Sequence, residues 1–121
     1  MQTLIWVGSA KKELLALPRS VIQQFGYALA IAQEGKKHEH AKPLKGFGGF
    51  GVLEITENTE GDTYRSVYTV KFHNYVFVLH CFQKKSKHGI STPKEHVEII
   101  QSRLQDAQKI FKELENENNE C

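Results

Sequence analysis

The chain has 121 residues, 40% of them hydrophobic and 25% charged, with a formal net charge of +2. That is the size and composition of one ordinary globular domain, and it excludes a disordered chain. No apolar run approaches the roughly 20 residues that span a bilayer. The opening MQTLIWVGSAKKELL is too short in apolar residues for a secretory signal. The two cysteines, Cys81 and Cys121, form no spacing motif, so a single cytoplasmic domain over residues 1–121 is expected.

Residues Thr3–Val7 combine β-branched and aromatic side chains and read as a short strand. Gly8-Ser9 breaks it, and Ser9 is a natural N-cap for a short helix over Ala10–Ala16. Pro18 then suits the first turn of a second helix. There Val21, Ile22, Phe25, Leu29 and Ala32 recur at helical spacing until Gly35. Residues 36–51, with Gly-rich FGGFG and one proline, have no periodicity and read as a loop. Three strands follow, over Gly51–Thr56, Tyr64–Phe72 and Tyr75–Gln83, with turns at NTEGD and at His73-Asn74. The last of these is apolar on both faces except for His80 and is expected to be central. A basic loop over Lys84–Thr92 leads to Pro93 and a final helix. Thr92 is its expected N-cap. Val97, Ile100, Leu104, Ala107, Phe111 and Leu114 form its apolar seam, and the polar tail from about residue 115 is expected to fray. The order β-α-α-β-β-β-α defines a small α+β domain, a mainly antiparallel sheet with an N-terminal αα-hairpin on one face and a C-terminal helix.

Charge is unevenly spread along these elements. Residues 1–35 carry three basic and two acidic side chains, residues 36–94 ten and five, and residues 95–121 three and seven. A basic middle points to a polyanion partner. Strand alternation puts Arg65, Val67, Thr69 and Lys71 on one side of their strand, and Val76, Val78, His80, Phe82 and Lys84 on one side of the next. A phosphate groove built from Arg65, Lys71, Lys84, Lys85 and Lys87 is one reading. Strand charges that only guard an edge are the other, with Arg65 paired to an acid such as Glu54. Tyr64, Tyr68, Tyr75, Phe77 and Phe82 interleave with the cations, as in proteins that stack RNA bases, although strand aromatics are often core. Of the six histidines, His38 and His40 flank Glu39 without a second ligand cluster, so no metal is expected. His73 belongs to a turn. His80 is either a hydrogen-bonded core histidine or a cleft acid/base, His88 lies in the basic loop and His96 on the last helix. FGGFG lacks the Lys-Ser/Thr of a phosphate loop, so no nucleotide cofactor is expected.

The stretch from Leu44 to Leu104 resembles the RelE superfamily of bacterial toxins, in its HigB-like, phage-protein-related branch. The matching pieces are Leu44-Lys45-Gly46 before the Gly-rich turn, Leu53-Glu54-Ile55, Tyr64-Arg65-Ser66-Val67-Tyr68, Leu79-His80-Cys81-Phe82-Gln83-Lys84-Lys85, and Thr92-Pro93 before the helix that contains Arg103. The order of elements also agrees. The resemblance implies the toxin of a type II toxin–antitoxin pair: a metal-independent, ribosome-dependent mRNA endoribonuclease, neutralised by a helix-turn-helix antitoxin. In such enzymes the 2′-OH of the substrate attacks the adjacent phosphate. That requires a proton acceptor, a proton donor for the leaving 5′-oxygen, and cations for the charged transition state. By position Arg65 matches the family's strand arginine and Lys84 and Lys85 its basic pair, with Arg65 and Lys84 as the catalytic cations; His80 and His88 are candidate acids, and Tyr68 matches a recurrent tyrosine that is either structural or an RNA contact. Lys71, Lys85, Lys87 and Phe82 are the other expected RNA contacts. Where many members read Glu-Leu-Arg, this chain has Glu54-Ile55-Thr56. Two other functions compete: a non-cleaving RNA- or ribosome-binding inhibitor of translation, and a phage accessory module that binds a protein.

Overall fold

A computed structural model of the chain describes residues 1–47, 51–84 and 92–119, with side chains described as far as residue 117. Its elements are β1 (Thr3–Trp6), α1 (Ala10–Leu15), α2 (Arg19–Gln33), β2 (Ala41–Pro43), β3 (Val52–Thr59), β4 (Asp62–Thr69), β5 (Tyr75–Lys84) and α3 (Lys94–Asn119). One five-stranded sheet has the order β1-β5-β4-β3-β2. All neighbours are antiparallel except β1 and β5, which run parallel. The domain is thus α+β with a mainly antiparallel sheet, and the apolar β5 is an inner strand.

Helices cover both faces of this sheet. Val21, Phe25, Ala28, Leu29 and Ala32 of α2, with Ala10 and Leu14 of α1, pack on Ile55, Tyr64, Tyr68, Val76, Val78 and Cys81. On the opposite face Ile100 and Ala107 of α3 pack on Val67, Phe77, Leu79 and Phe82. Removing such side chains from water is the main stabilising contribution, at about 1.5–3 kcal/mol for each large one.

Several boundaries differ from those expected. The segment read as loop contains β2, which pairs Ala41 with Ile55 and Pro43 with Leu53. It is three residues long and lies at the sheet edge, where Pro43 removes no needed ladder donor. β3 runs on to Thr59, so the turn contracts to Glu60-Gly61, both with positive φ (52° and 84°). That is the backbone a tight two-residue hairpin requires. Ser9 occupies the N-cap of α1 without a side-chain capping bond, and Pro18 is the N-cap of α2. α3 starts at Lys94 and continues through the polar stretch that was expected to fray.

The strict alternation expected for β5 fails at one point. Val67 pairs with His80 and Tyr68 with Val78, which leaves Leu79 as an extra residue in a β-bulge. Val76 and Val78 therefore face α1 and α2, whereas Leu79 and Phe82 face α3. The ring of His80 stacks on Phe82 and meets His96 of α3. The bulge is what turns His80 toward α3.

Tyr68 is fully buried against the helical hairpin. This corrects its expected role as a base-stacking residue, because its ring has no access to solvent. Burial pushes its phenol up to about 12, and its Oη has no hydrogen-bond partner among the described residues. Burying an unpaired hydroxyl is unfavourable. Tyr68→Phe is accordingly expected to raise stability by about 1 kcal/mol. Urea denaturation of the variant checks this; a destabilised variant would show that the hydroxyl has a partner.

Candidate active site

The α3-facing side of the sheet carries a polar cluster at its β3–β4–β5 end. Arg65 lies mid-strand on β4, opposite Thr56 on β3 and Phe82 on β5. Its Nη1 donates to Glu54 Oε1 at 2.7 Å and to Thr92 Oγ1 at 3.3 Å. The Thr92 hydroxyl in turn donates to Glu54 Oε2 at 2.9 Å. Thr92, expected to cap α3, is thus engaged by the sheet. Arg65 and Lys84 are both buried (6% and 7% exposed), which is rare for such residues unless paired. Lys84 is held below the ordinary lysine range, first by burial and then by the charge of Arg65, with Glu54 acting the other way.

A second cluster lies on the other side of Phe82 and ties three elements together. Glu13 of α1 accepts through Oε1 from Arg103 Nη1 of α3 at 2.7 Å, from His80 Nδ1 at 2.9 Å and from the Cys81 backbone N–H at 3.2 Å. Arg103 Nη1 also donates to the Leu79 carbonyl at 3.0 Å. His80 Nε2 meets His96 Nδ1 at 2.8 Å, and the His96 ring lies flat on Phe82, with centroids 4.0 Å apart and planes at 16°. Gly8, at φ +56°, leaves room for the guanidinium: a Cβ there would lie 3.0 Å from Arg103 Nε. Burial works against the Glu13 charge. The hydrogen bonds of His80 and Arg103, the charge His80 carries when protonated and the Cys81 N–H outweigh it and bring the carboxyl down to about 2. Burial and His80 push His96 below the ordinary imidazole value, against Glu95 and Glu13.

The structure brings Arg65, Lys84, Phe82 and His80 to one face. Phe82 is 5% exposed and covered by His96, so it is a packing surface and not an open stacking platform. Lys71 is exposed beyond the other end of β4 and is not part of the cluster. Lys85, Lys87 and His88 lie outside the described residues. His38 and His40 are spoken for locally: His38 Nδ1 accepts from the His40 backbone N–H, and His40 bonds Glu57. Among the described residues no group of three or more His, Cys, Asp or Glu could hold a metal. Sequence reasoning missed Glu13 altogether and gave His96 and Arg103 no role. A signal for the last two exists, since positions 96, 100, 103 and 107 follow helical spacing, so His96 and Arg103 occupy inward positions of an otherwise apolar seam.

This architecture has solved counterparts. A chain in the crystal structure of the intact E. coli RelBE toxin–antitoxin complex matches at 25% identity and a TM-score of 0.56, over 71% of this chain and 100% of that one. The isolated E. coli RelE toxin matches at 23% identity and a TM-score of 0.56, over 84% and 98%. The fold is therefore that of the RelE toxins. The family described as phage derived protein Gp49-like (DUF891) matches residues 12–105, and the chain belongs to that family. Comparison with curated proteins finds no significant match.

The Glu13 hub makes stability depend on acid pH. Its carboxyl titrates at about 2 in the fold against an ordinary value of 4.5. A depressed carboxyl stabilises the fold fully above its unfolded value, and that contribution disappears as pH falls through the folded value. Urea denaturation should show a loss on the order of 2–3 kcal/mol between about pH 4.5 and about pH 2 from this group. Glu13→Gln should be less stable at neutral pH and should lack this part of the acid loss. An unaltered acid profile in Glu13→Gln would remove the hub from the account.

Proposed function

We propose that this protein is the toxin of a type II toxin–antitoxin pair, a ribosome-dependent mRNA endoribonuclease whose partner is a helix-turn-helix antitoxin. The observation that carries the reading is the pair Arg65 and Lys84, two buried cations on adjacent strands of a RelE-type sheet, gathered around Glu54. Fixed cations in a dry site are what a phosphoryl transition state requires, because they need no reorganisation as charge develops. The planar fork of Arg65 suits two phosphoryl oxygens. Lys84, already biased toward losing a proton, suits protonation of the leaving 5′-oxygen. In the free protein Glu54 and Thr92 occupy Arg65, so an incoming phosphate takes the place of the Glu54 carboxylate. Lys85 and Lys87 follow in the chain and are assigned to the RNA or ribosome backbone. The closed Arg65–Glu54 pair also favours a second reading, a protein that binds the ribosome and blocks translation without cutting. Thr56, where many RelE-like chains have arginine, favours it too.

Cutting separates the two. Incubated with mRNA on programmed ribosomes, the protein should generate discrete new 5′ ends by primer extension. The paired substitution Glu54→Gln with Arg65→Gln removes both charges of the pair together, so neither is left buried without the other. It should fold and cut more slowly by about 10²–10³-fold, the usual effect of losing one such donor. Inhibition of translation without new ends would support the non-cleaving reading.

Binding should also weaken with salt. Each phosphate neutralised on a single strand contributes about −0.7 to the log–log slope, so three to four cations give roughly −2 to −3. Measured on ribosomes or single-stranded RNA, a flat response would assign the basic middle to a protein partner.

A further inference from the structure

The chain Glu13–His80–His96 ends at an atom that faces outward. The Glu13 carboxylate lies 2.9 Å from His80 Nδ1 and favours a proton on that nitrogen, while it draws the Arg103 N–H, 3.3 Å from the same nitrogen, to itself at 2.7 Å. His80 Nε2 and His96 Nδ1, 2.8 Å apart, then share a single proton. With it on His96 Nδ1, His96 Nε2 carries a free lone pair. That nitrogen lies 3.9 Å from Glu95, whose side chain is 80% exposed, while the His96 side chain is 20% exposed. Phe82 beneath it pairs across the sheet with Arg65. The outer nitrogen thus belongs to a ring that covers the cross-strand neighbour of Arg65 and is fixed by stacking and by one short hydrogen bond.

We propose that His96 is the residue that takes the 2′-OH proton during RNA cleavage, with His80 and Glu13 as its positioning relay. The proposal rests on the endoribonuclease reading and deepens it. The 2′-OH gives its proton to His96 Nε2 as the O2′–P bond forms. The proton on His96 Nδ1 passes to His80 Nε2. The resulting imidazolium at His80 stays against the Glu13 carboxylate, where its charge is stabilised. The P–O5′ bond breaks, the 5′-oxygen takes a proton from the Lys84 ammonium, and the products are a 2′,3′-cyclic phosphate and a 5′-hydroxyl. Exchange with solvent restores both groups. The groups that bear on His96 from the described elements are His80 on β5, Glu13 on α1, and Glu95 on α3; Arg103 acts through Glu13 and His80. Burial moves His96 below the ordinary imidazole value, toward the unprotonated form a base needs.

A structural latch between β5 and α3 would use the same contacts, so the test must read proton transfer. His96→Asn is the informative variant, because its amide N–H can still donate to His80 Nε2 while the outer basic nitrogen is gone. Single-turnover cleavage on programmed ribosomes is measured from about pH 4.5 to about pH 8, a range that reaches below the ordinary imidazole value because burial holds His96 under it. Ribosome affinity and thermal stability are measured alongside. Wild-type rate should rise with pH through an imidazole inflection. His96→Asn should be slower by about 10²–10³-fold and lack the inflection, with affinity within about twofold of wild type, and His96→Ala should regain rate when free imidazole is added. His96→Asn with the wild-type rate and inflection overturns the proposal and leaves the endoribonuclease reading standing. Loss of rate that tracks loss of stability and that imidazole does not restore also overturns it, in favour of the latch. A wild-type protein that leaves mRNA intact overturns the endoribonuclease reading, and this proposal with it.

Discussion

The Glu13 carboxylate holds the two halves of this domain together. It comes from a six-residue helix on one side of the molecule, yet the groups it accepts from belong to β5 and to α3. A single carboxylate oxygen on a partly buried side chain satisfies a histidine, an arginine and a backbone amide. Each of those donors would otherwise have to be desolvated alone, at a substantial cost. The charge of Arg103 could not be buried against the sheet without it, and α3 would lose the polar anchor that aligns His96 over Phe82. The apolar seam of α3 supplies most of the packing on that face, while Glu13 fixes how the helix is set on the sheet. A seam of aliphatic side chains tolerates small shifts; a shared carboxylate oxygen does not.

Two charged clusters therefore share one sheet face, with Phe82 between them. The Arg65–Glu54–Thr92 cluster is built across strands and closed by the residue before Pro93. The Glu13 cluster is built across layers. Both are covered by the stretch that leads into α3, through Thr92 in one case and His96 in the other. Access to Arg65 and access to His96 are for this reason properties of the same short stretch of chain. A RelE-type sheet supplies the rigid support, and the residues of this chain decide what chemistry it carries.

Much of the fold could be read from periodicity alone. The α2 seam of Val21, Phe25 and Leu29, the α3 seam of Ile100, Leu104 and Ala107, and the antiparallel pairing of the strands after Tyr64 and Tyr75 are local patterns, and each appears where spacing placed it. β2 escaped because three residues ending in proline carry no alternation. The bulge at Leu79 escaped because an extra residue leaves the composition of an apolar strand unchanged, and it moved Val76 and Val78 to the face opposite Phe82. In the site, Arg65, Lys84 and His80 could be named from charge and strand position. Glu13 could not, since its partners lie 67 and 90 residues away and an acid in a short surface helix is ordinarily a solvated one. Whether Tyr68 is core or contact stayed open, because a strand tyrosine has the same spacing whether its face meets water or a helix.

Whether this face cuts RNA by internal attack of the 2′-OH is read from the chemistry of the new ends. After reaction on programmed ribosomes in the presence of a metal chelator, upstream fragments should end in a 2′,3′-cyclic phosphate or its hydrolysis product, and downstream fragments should accept a phosphate from polynucleotide kinase without prior dephosphorylation. Fragments carrying a 5′-phosphate, or mRNA left uncut, would contradict internal attack.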